Sequence, residues 1–371
     1  MSSALKSWRE AATIILVSSK PTVQSRIGLK ECFKNEKVVP GWPKSNDYDY
    51  RVLMMKRSLK SGFFPSAYVF PGGISDKGDF NLEWSSFLSS TNNLEHLEIA
   101  NGVRPPMFTD FDNNRLSPVI GFRITAIREL FEECGILICR KLTEESLSTD
   151  ELEDFRKEVN ESPSSFLKLC KKYSVVPDVD CLSEWSNWLT PNHLEDPGVK
   201  NRRYDTAFYL AATDEYLISK GSDKREVELC QWVTPTSVNE EFEKCELFLP
   251  PPQIYELSRL ANFTKFKNLR EFAIDRQQHG TERWMPVRIS TADGITACLP
   301  GDTFYPKIED LDLYGQVPPL EVKETMEEND RLSKDHLNRF SMGKTPITVI
   351  KCNVANLGFP LPKPRVQKSS L

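Results

Sequence analysis

The stretch Arg128-Glu129-Leu130-Phe131-Glu132-Glu133-Cys134-Gly135-Ile136 decides how this chain is read. Its three carboxylates stand at i, i+3 and i+4, so a helix places Glu129, Glu132 and Glu133 on one face. Like charges at that spacing repel one another unless something offsets them. A hard divalent cation does so, because it takes oxygen ligands. Ala126, Ile127, Leu130 and Phe131 form the other, apolar side. That pattern predicts a helix over 121–134, with Gly135 suited to end it and a strand starting over Ile136 to Ile138. Far upstream stands Phe70-Pro71-Gly72-Gly73, where a glycine pair lets the backbone approach a ligand closely. Carboxylates for a cation, and glycines where a ligand comes close, point to an enzyme acting on a diphosphate.

The rest of the chain sets bounds on that reading. At 371 residues it has room for one large domain or two ordinary ones. A hydrophobic share of 39% and a charged share of 27% are those of a globular protein. The net charge of −5 argues against a nucleic-acid binder, which needs a basic face. Nine cysteines without a C-x-x-C pair read as reduced thiols rather than a disulfide or zinc framework, hence an intracellular setting. No run approaches the ~20 apolar residues that span a bilayer.

Taken in order, Ala11 to Val17, Tyr50 to Lys56 and Tyr68 to Phe70 read as short strands. Leu82 to Leu88 reads as a small helix. Residues 143–175 are charged and periodic, and predict two helices parted at Ser162-Pro163, on a solvated insertion. The aromatic stretch 184–191 leads to a strand at Thr206 to Ala211, with another at 225–233. Gln253 to Asn262 reads as a helix that resumes toward Ile274. Short strands and turns such as Asp293-Gly294 follow, and the last ~40 residues read as a loosely ordered tail.

The run from Arg128 to Ile136 fits R-E-U-x-E-E-x-G-U, with U aliphatic, and at this point the chain resembles the Nudix hydrolase superfamily. In that family's signature a glycine opens the box 14 positions before the arginine, with a glutamate six after the glycine. Here Gly73 lies 55 positions before Arg128, so about forty residues are inserted. Ile120 stands where a contiguous box would carry the glutamate; counting six from Gly73 instead gives Asp79. The resemblance implies an α/β Nudix fold, a mixed sheet sandwiched between helices, with helical insertions and a C-terminal extension. It divides the chain into a Nudix domain over 8–245, with insertions at 74–120 and 140–195, and a C-terminal helix, short strands and tail over 246–371. It also implies Glu129, Glu132 and Glu133 as ligands of Mg²⁺ or Mn²⁺. Arg128 would hold the rotamer of Glu132 at i+4, and Glu226 or Glu228 are candidates for the general base.

The substrate reading rests on further phrases. Arg57-Ser58 precedes Phe70-Pro71-Gly72-Gly73 at the distance found in coenzyme A-directed Nudix enzymes, although Gly62 and Ser66 depart from the bacterial pattern. Trp185-Ser186, Trp188 and Thr190-Pro191, then Arg203-Tyr204-Asp205-Thr206 with Phe208 to Ala211, then Pro251-Pro252-Gln253 with Tyr255-Glu256-Leu257, resemble the peroxisomal acyl-coenzyme A diphosphatase branch. That resemblance implies hydrolysis of CoA and acyl-CoA to 3′,5′-ADP and (acyl-)4′-phosphopantetheine. Arg57, Gly72 and Gly73 would meet the substrate, with Lys56, Lys60, Arg202 and Arg203 as further cations. Arg57 is the first choice for a phosphate, since a guanidinium makes bidentate contacts. Phe208-Tyr209 reads as core more than as a base platform. The terminal Ser369-Ser370-Leu371 is a loose relative of the Ser-Lys-Leu address; it implies a peroxisomal import receptor as partner, with cytoplasm or mitochondrion as the alternative locations. Another nucleoside diphosphate derivative as substrate, or a catalytically silent Nudix binding module, are the competing readings.

Overall fold

The computed structural model describes residues 8–19, 47–59, 64–98, 102–109, 112–143, 148–191, 203–214, 227–238, 248–307, 320–342 and 348–363. Strand β1 (Arg9–Ser19) is the axis of the molecule. On one edge it runs parallel to β8 (Tyr204–Thr213) along ten paired residues, Arg9↔Tyr204 to Ser18↔Thr213. On the other edge it pairs antiparallel first with β4 (Gly72–Ile74) and then with β2 (Tyr50–Arg57). The eight-stranded mixed sheet has the order β10 (Arg283–Trp284), β7 (Leu182–Leu189), β8, β1, β2, β3 (Tyr68–Val69), with β4 on β1 and β9 (Val227–Val233) on β2. Both faces are covered, so β1 carries a nearly unbroken apolar run rather than an alternation. Ala12, Ile14 and Leu16 enter one core, and Ile15 and Val17 enter the other. The α/β sandwich expected from the sequence is therefore present.

The first core lies under helix α1 (Pro118–Cys134) and the inserted helices α2 (Thr149–Glu161) and α3 (Phe166–Lys172). Pro118 opens α1 at a position where its missing N–H costs nothing. Gly135 closes it in the left-handed region at φ 67°, its N–H donating to the Phe131 carbonyl at 2.8 Å. The second core lies under α4 (Pro251–Leu260) and α5 (Phe266–Arg276).

Three expectations are corrected. The strand after Gly135 starts at Cys139, not Ile136, because Ile136 and Ile138 are drawn into the first core. The expected helical insertion over 140–195 takes a different form: its helices stop at Lys172, and Leu182–Leu189 is strand β7 of the main sheet. All eight of its residues are buried, polar and apolar alike, and its register shifts between Glu184 and Ser186, so the period-2 signal is broken. Of the last ~40 residues, expected as a loose tail, the described ones (up to 342, and 348–363) are ordered. Strands β14 (Asn338–Met342) and β15 (Thr348–Cys352) complete a five-stranded sheet of order β13 (Leu320–Glu321), β11 (Val287–Thr291), β12 (Gly294–Cys298), β14, β15. Phe340, Ile350 and Phe359 reach the second core, and Arg339, fully buried, donates to both oxygens of Asp302.

Candidate active site

Helix α1 presents Arg128 at the centre of an ionic cluster. Its Nε and Nη2 each donate to one oxygen of Asp79 at 2.8 Å. Its Nη1 donates to Glu129 at 2.9 Å and to Glu132 at 2.6 Å, and Nη2 also reaches the Ile74 carbonyl at 3.0 Å. Arg128 and Asp79 are both 1% exposed, which is the setting in which a bidentate guanidinium–carboxylate pair is strong. Asp79 sits in a 3₁₀ turn, Lys77–Phe80, held by a reciprocal capping box with Asp76. It also accepts from Thr125 Oγ1 at 2.8 Å. The carboxylate reached by counting from Gly73 thus meets the arginine of the box across the insertion. Ile120 is an ordinary core residue.

The pairing of β4 with β1 brings the glycines to the same place. The Gly72 N–H donates to Glu133 Oε2 at 2.8 Å. A Cβ on Gly73 would stand 2.5 Å from the Glu129 carboxylate, so any side chain there would push that carboxylate aside. The structure therefore gathers Asp79, Glu129 and Glu132 around the Arg128 guanidinium and turns Glu133 toward Gly72. Among the described residues no three acidic, histidine or cysteine side chains converge as a ready metal cage. The donor chemistry nevertheless suits a hard cation. Burial, then the adjacent charge of Glu129, push the Glu132 carboxyl up to about 7, with Arg128 offsetting part of the effect. Several carboxylates share one arginine, and that surplus of negative charge is what a divalent ion would offset.

The other candidates are less concentrated. Arg57 ends β2, where its N–H donates to the Ala67 carbonyl at 2.9 Å. Glu228, on the neighbouring β9, is more than half exposed and pairs with Lys56 at 3.0 Å. Arg203 is buried, with its guanidinium over the Trp8 ring and Nε on the Thr190 carbonyl, which makes it a fold residue. Phe208 and Tyr209 are core, one in each cluster. Lys60, Arg202, Glu226 and Ser369 to Leu371 lie outside the described residues. Sequence reasoning missed Arg156 of α2, whose guanidinium donates to the Glu132 carbonyl at 2.9 Å and the Glu133 carbonyl at 3.0 Å. A signal was there: Arg156 interrupts the apolar stripe of Leu152, Phe155 and Val159.

A glycine strand laid over a helix that carries R-E-x-x-E-E, beside a mixed sheet, defines the Nudix hydrolase class. A family model described as the NUDT19 Nudix domain matches residues 8–260. The protein named acyl-coenzyme A diphosphatase NUDT19 of Gallus gallus is 38% identical over 337 residues, 85% of this chain and 84% of that protein. Its namesake of Xenopus laevis is 38% identical over 342 residues, 85% of each. That of Homo sapiens is 34% identical over 355 residues, 87% of this chain and 88% of that one. Among solved structures, a Nudix hydrolase from Alicyclobacillus acidocaldarius covers 72% of this chain and 97% of its own, at 20% identity and a TM-score of 0.47. The chain belongs to the NUDT19 Nudix family. Nudix hydrolases generally use divalent metal ions, and no helix among the described residues is long and apolar enough to cross a membrane.

Proposed function

We propose that this protein hydrolyses the diphosphate of coenzyme A and its acyl esters, releasing 3′,5′-ADP and (acyl-)4′-phosphopantetheine, with Mg²⁺ or Mn²⁺ as cofactor. The observation that carries the reading is the carboxylate cluster around Arg128 beneath Gly72-Gly73, in a chain whose relatives bear the name acyl-coenzyme A diphosphatase. Glu129, Glu132 and Glu133 would hold the cation. When bound, it supplies charge neutralisation at the diphosphate oxygens and a more acidic water. Arg128 fixes the directions of Glu129 and Glu132, and Asp79 fixes Arg128. Gly72 and Gly73 let the β4 backbone lie against the Glu133 and Glu129 carboxylates and would meet the diphosphate there, and Arg57 takes a phosphate of the substrate. Glu228 or Glu226 is the candidate base that receives the proton of the attacking water. The Ser369-Ser370-Leu371 terminus would direct the protein to the peroxisome through its import receptor.

The test is an assay of the purified protein with Mg²⁺ and CoA, with the products identified. Release of 3′,5′-ADP is expected. Turnover of ADP-ribose without turnover of CoA would reassign the substrate, and silence across a panel of nucleoside diphosphate derivatives would make this a binding module. For location, deleting Ser369 to Leu371 should leave a tagged protein outside peroxisomes, read by co-localisation in cells. An unchanged distribution rejects the address.

A further inference from the structure

We propose that Arg156, on the inserted helix α2, is a positioning residue for the metal-holding carboxylates of α1. The inference rests on the metal-dependent reading above and adds a residue that the Nudix box does not contain. A helix leaves its last four carbonyls without intrahelical partners. In α1 the Phe131 carbonyl is taken by Gly135. Those of Glu132 and Glu133, the two acidic residues of its last turn, are taken by the Nε and Nη2 of Arg156 at 2.9 and 3.0 Å. The end of α1 is an unfavourable place for two carboxylates, because the helix dipole puts its negative pole there. No basic residue lies in that turn. The cation comes from another element instead.

The placement of Arg156 supports a dedicated role. It is 6% exposed, and among the described residues no carboxylate forms an ion pair with it. Its partners are backbone carbonyls of the two residues whose side chains reach Arg128 and Gly72. Phe155 docks the same helix against α1, its ring 4.9 Å from that of Phe131. The planar fork of arginine spans two successive carbonyls, which the single ammonium of lysine does not reproduce. By holding the backbone at 132–133, Arg156 fixes where both carboxylates start. The insertion thereby belongs to the site rather than decorating it.

The experiment measures Mn²⁺ binding to the full-length protein without substrate, by the electron paramagnetic resonance signal of free Mn²⁺. Arg156→Met is expected to weaken binding by about 10- to 100-fold, the usual effect of losing an outer-shell partner, and Arg156→Lys by roughly several-fold, since it keeps the charge but not the fork. Glu151→Ala is the control. It removes the capping box of α2 with Ser148 and lowers the melting temperature while leaving the guanidinium in place, so Mn²⁺ affinity should stay within about twofold. Equal affinity in wild type and Arg156→Met overturns the inference, as does a loss in Glu151→Ala as large as that in Arg156→Met. Should Arg156→Met fail to fold, Arg156→Lys decides by the same comparison. A wild-type protein that binds no Mn²⁺ overturns the metal reading itself, and this inference with it.

Discussion

Glu132 is the side chain on which burial and charge act most visibly. Its carboxyl titrates at about 7 because burial and Glu129 oppose ionisation more than Arg128 favours it. The folded pKa lies above the unfolded one, so this group's contribution to stability is full below the unfolded value of about 4.5 and is lost as pH rises through 7. Metal-free protein should therefore lose melting temperature between pH 5.5 and pH 8. Saturating Mg²⁺ should recover most of that loss at pH 8 and little at pH 5.5, where the proton competes with the metal. Melting curves at the two pH values with and without Mg²⁺ read this out, and Glu132→Gln should flatten the difference. The same variant should lower kcat on CoA by about 100-fold or more, as expected when a group that holds the metal is lost, while circular dichroism stays that of the wild type.

At the scale of elements, the split box works because β4, the 3₁₀ turn and α1 are brought together by pairing and packing rather than by sequence distance. The Asp79–Arg128 pair joins the start of the insertion to the middle of α1. Asp79→Ala removes the acceptors of Arg128 Nε and Nη2 but leaves Glu129 and Glu132 to pair its charge, so it should cost about 1–3 kcal/mol; urea denaturation followed by fluorescence measures it. Gly73→Ala makes the complementary test, since its added Cβ meets the Glu129 carboxylate rather than the core. Turnover on CoA should fall by about tenfold or more with a much smaller change in the urea midpoint. Helix α1 itself was legible from its apolar positions and its Gly135 stop. Strand β7 was not, because Ser183, Glu184, Ser186 and Asn187 are buried polar residues and a register shift between Glu184 and Ser186 breaks the alternation. The inserted helices were legible as helices, but a charged periodic segment reads as solvated. Only packing shows that Phe155 and Arg156 face α1.

At the scale of the molecule, the second core is shared: Trp185 and Trp188 of the main sheet, Ile254 and Leu257 of α4, and Phe340, Ile350 and Phe359 of the C-terminal part lie in one cluster. The two sheets should therefore unfold in a single transition, with coincident fluorescence and circular dichroism curves. Arg339→Met, which strands the fully buried Asp302, should shift that whole transition by about 3–5 kcal/mol, whereas separate transitions would show independent units. Local order of residues by itself determined the carboxylate-bearing helix, its stop, the glycine turn and the family they resemble, because helical spacing and short-range turn chemistry are properties of neighbouring residues. Tertiary structure alone decided that Asp79 completes the cluster across an insertion, that Arg156 caps the acidic end of α1, and that the C-terminal strands form an ordered sheet. Those features depend on contacts between residues tens of positions apart, whose free energy comes from burial and from pairing charges away from water, and no local pattern records which distant partner a buried charge will find.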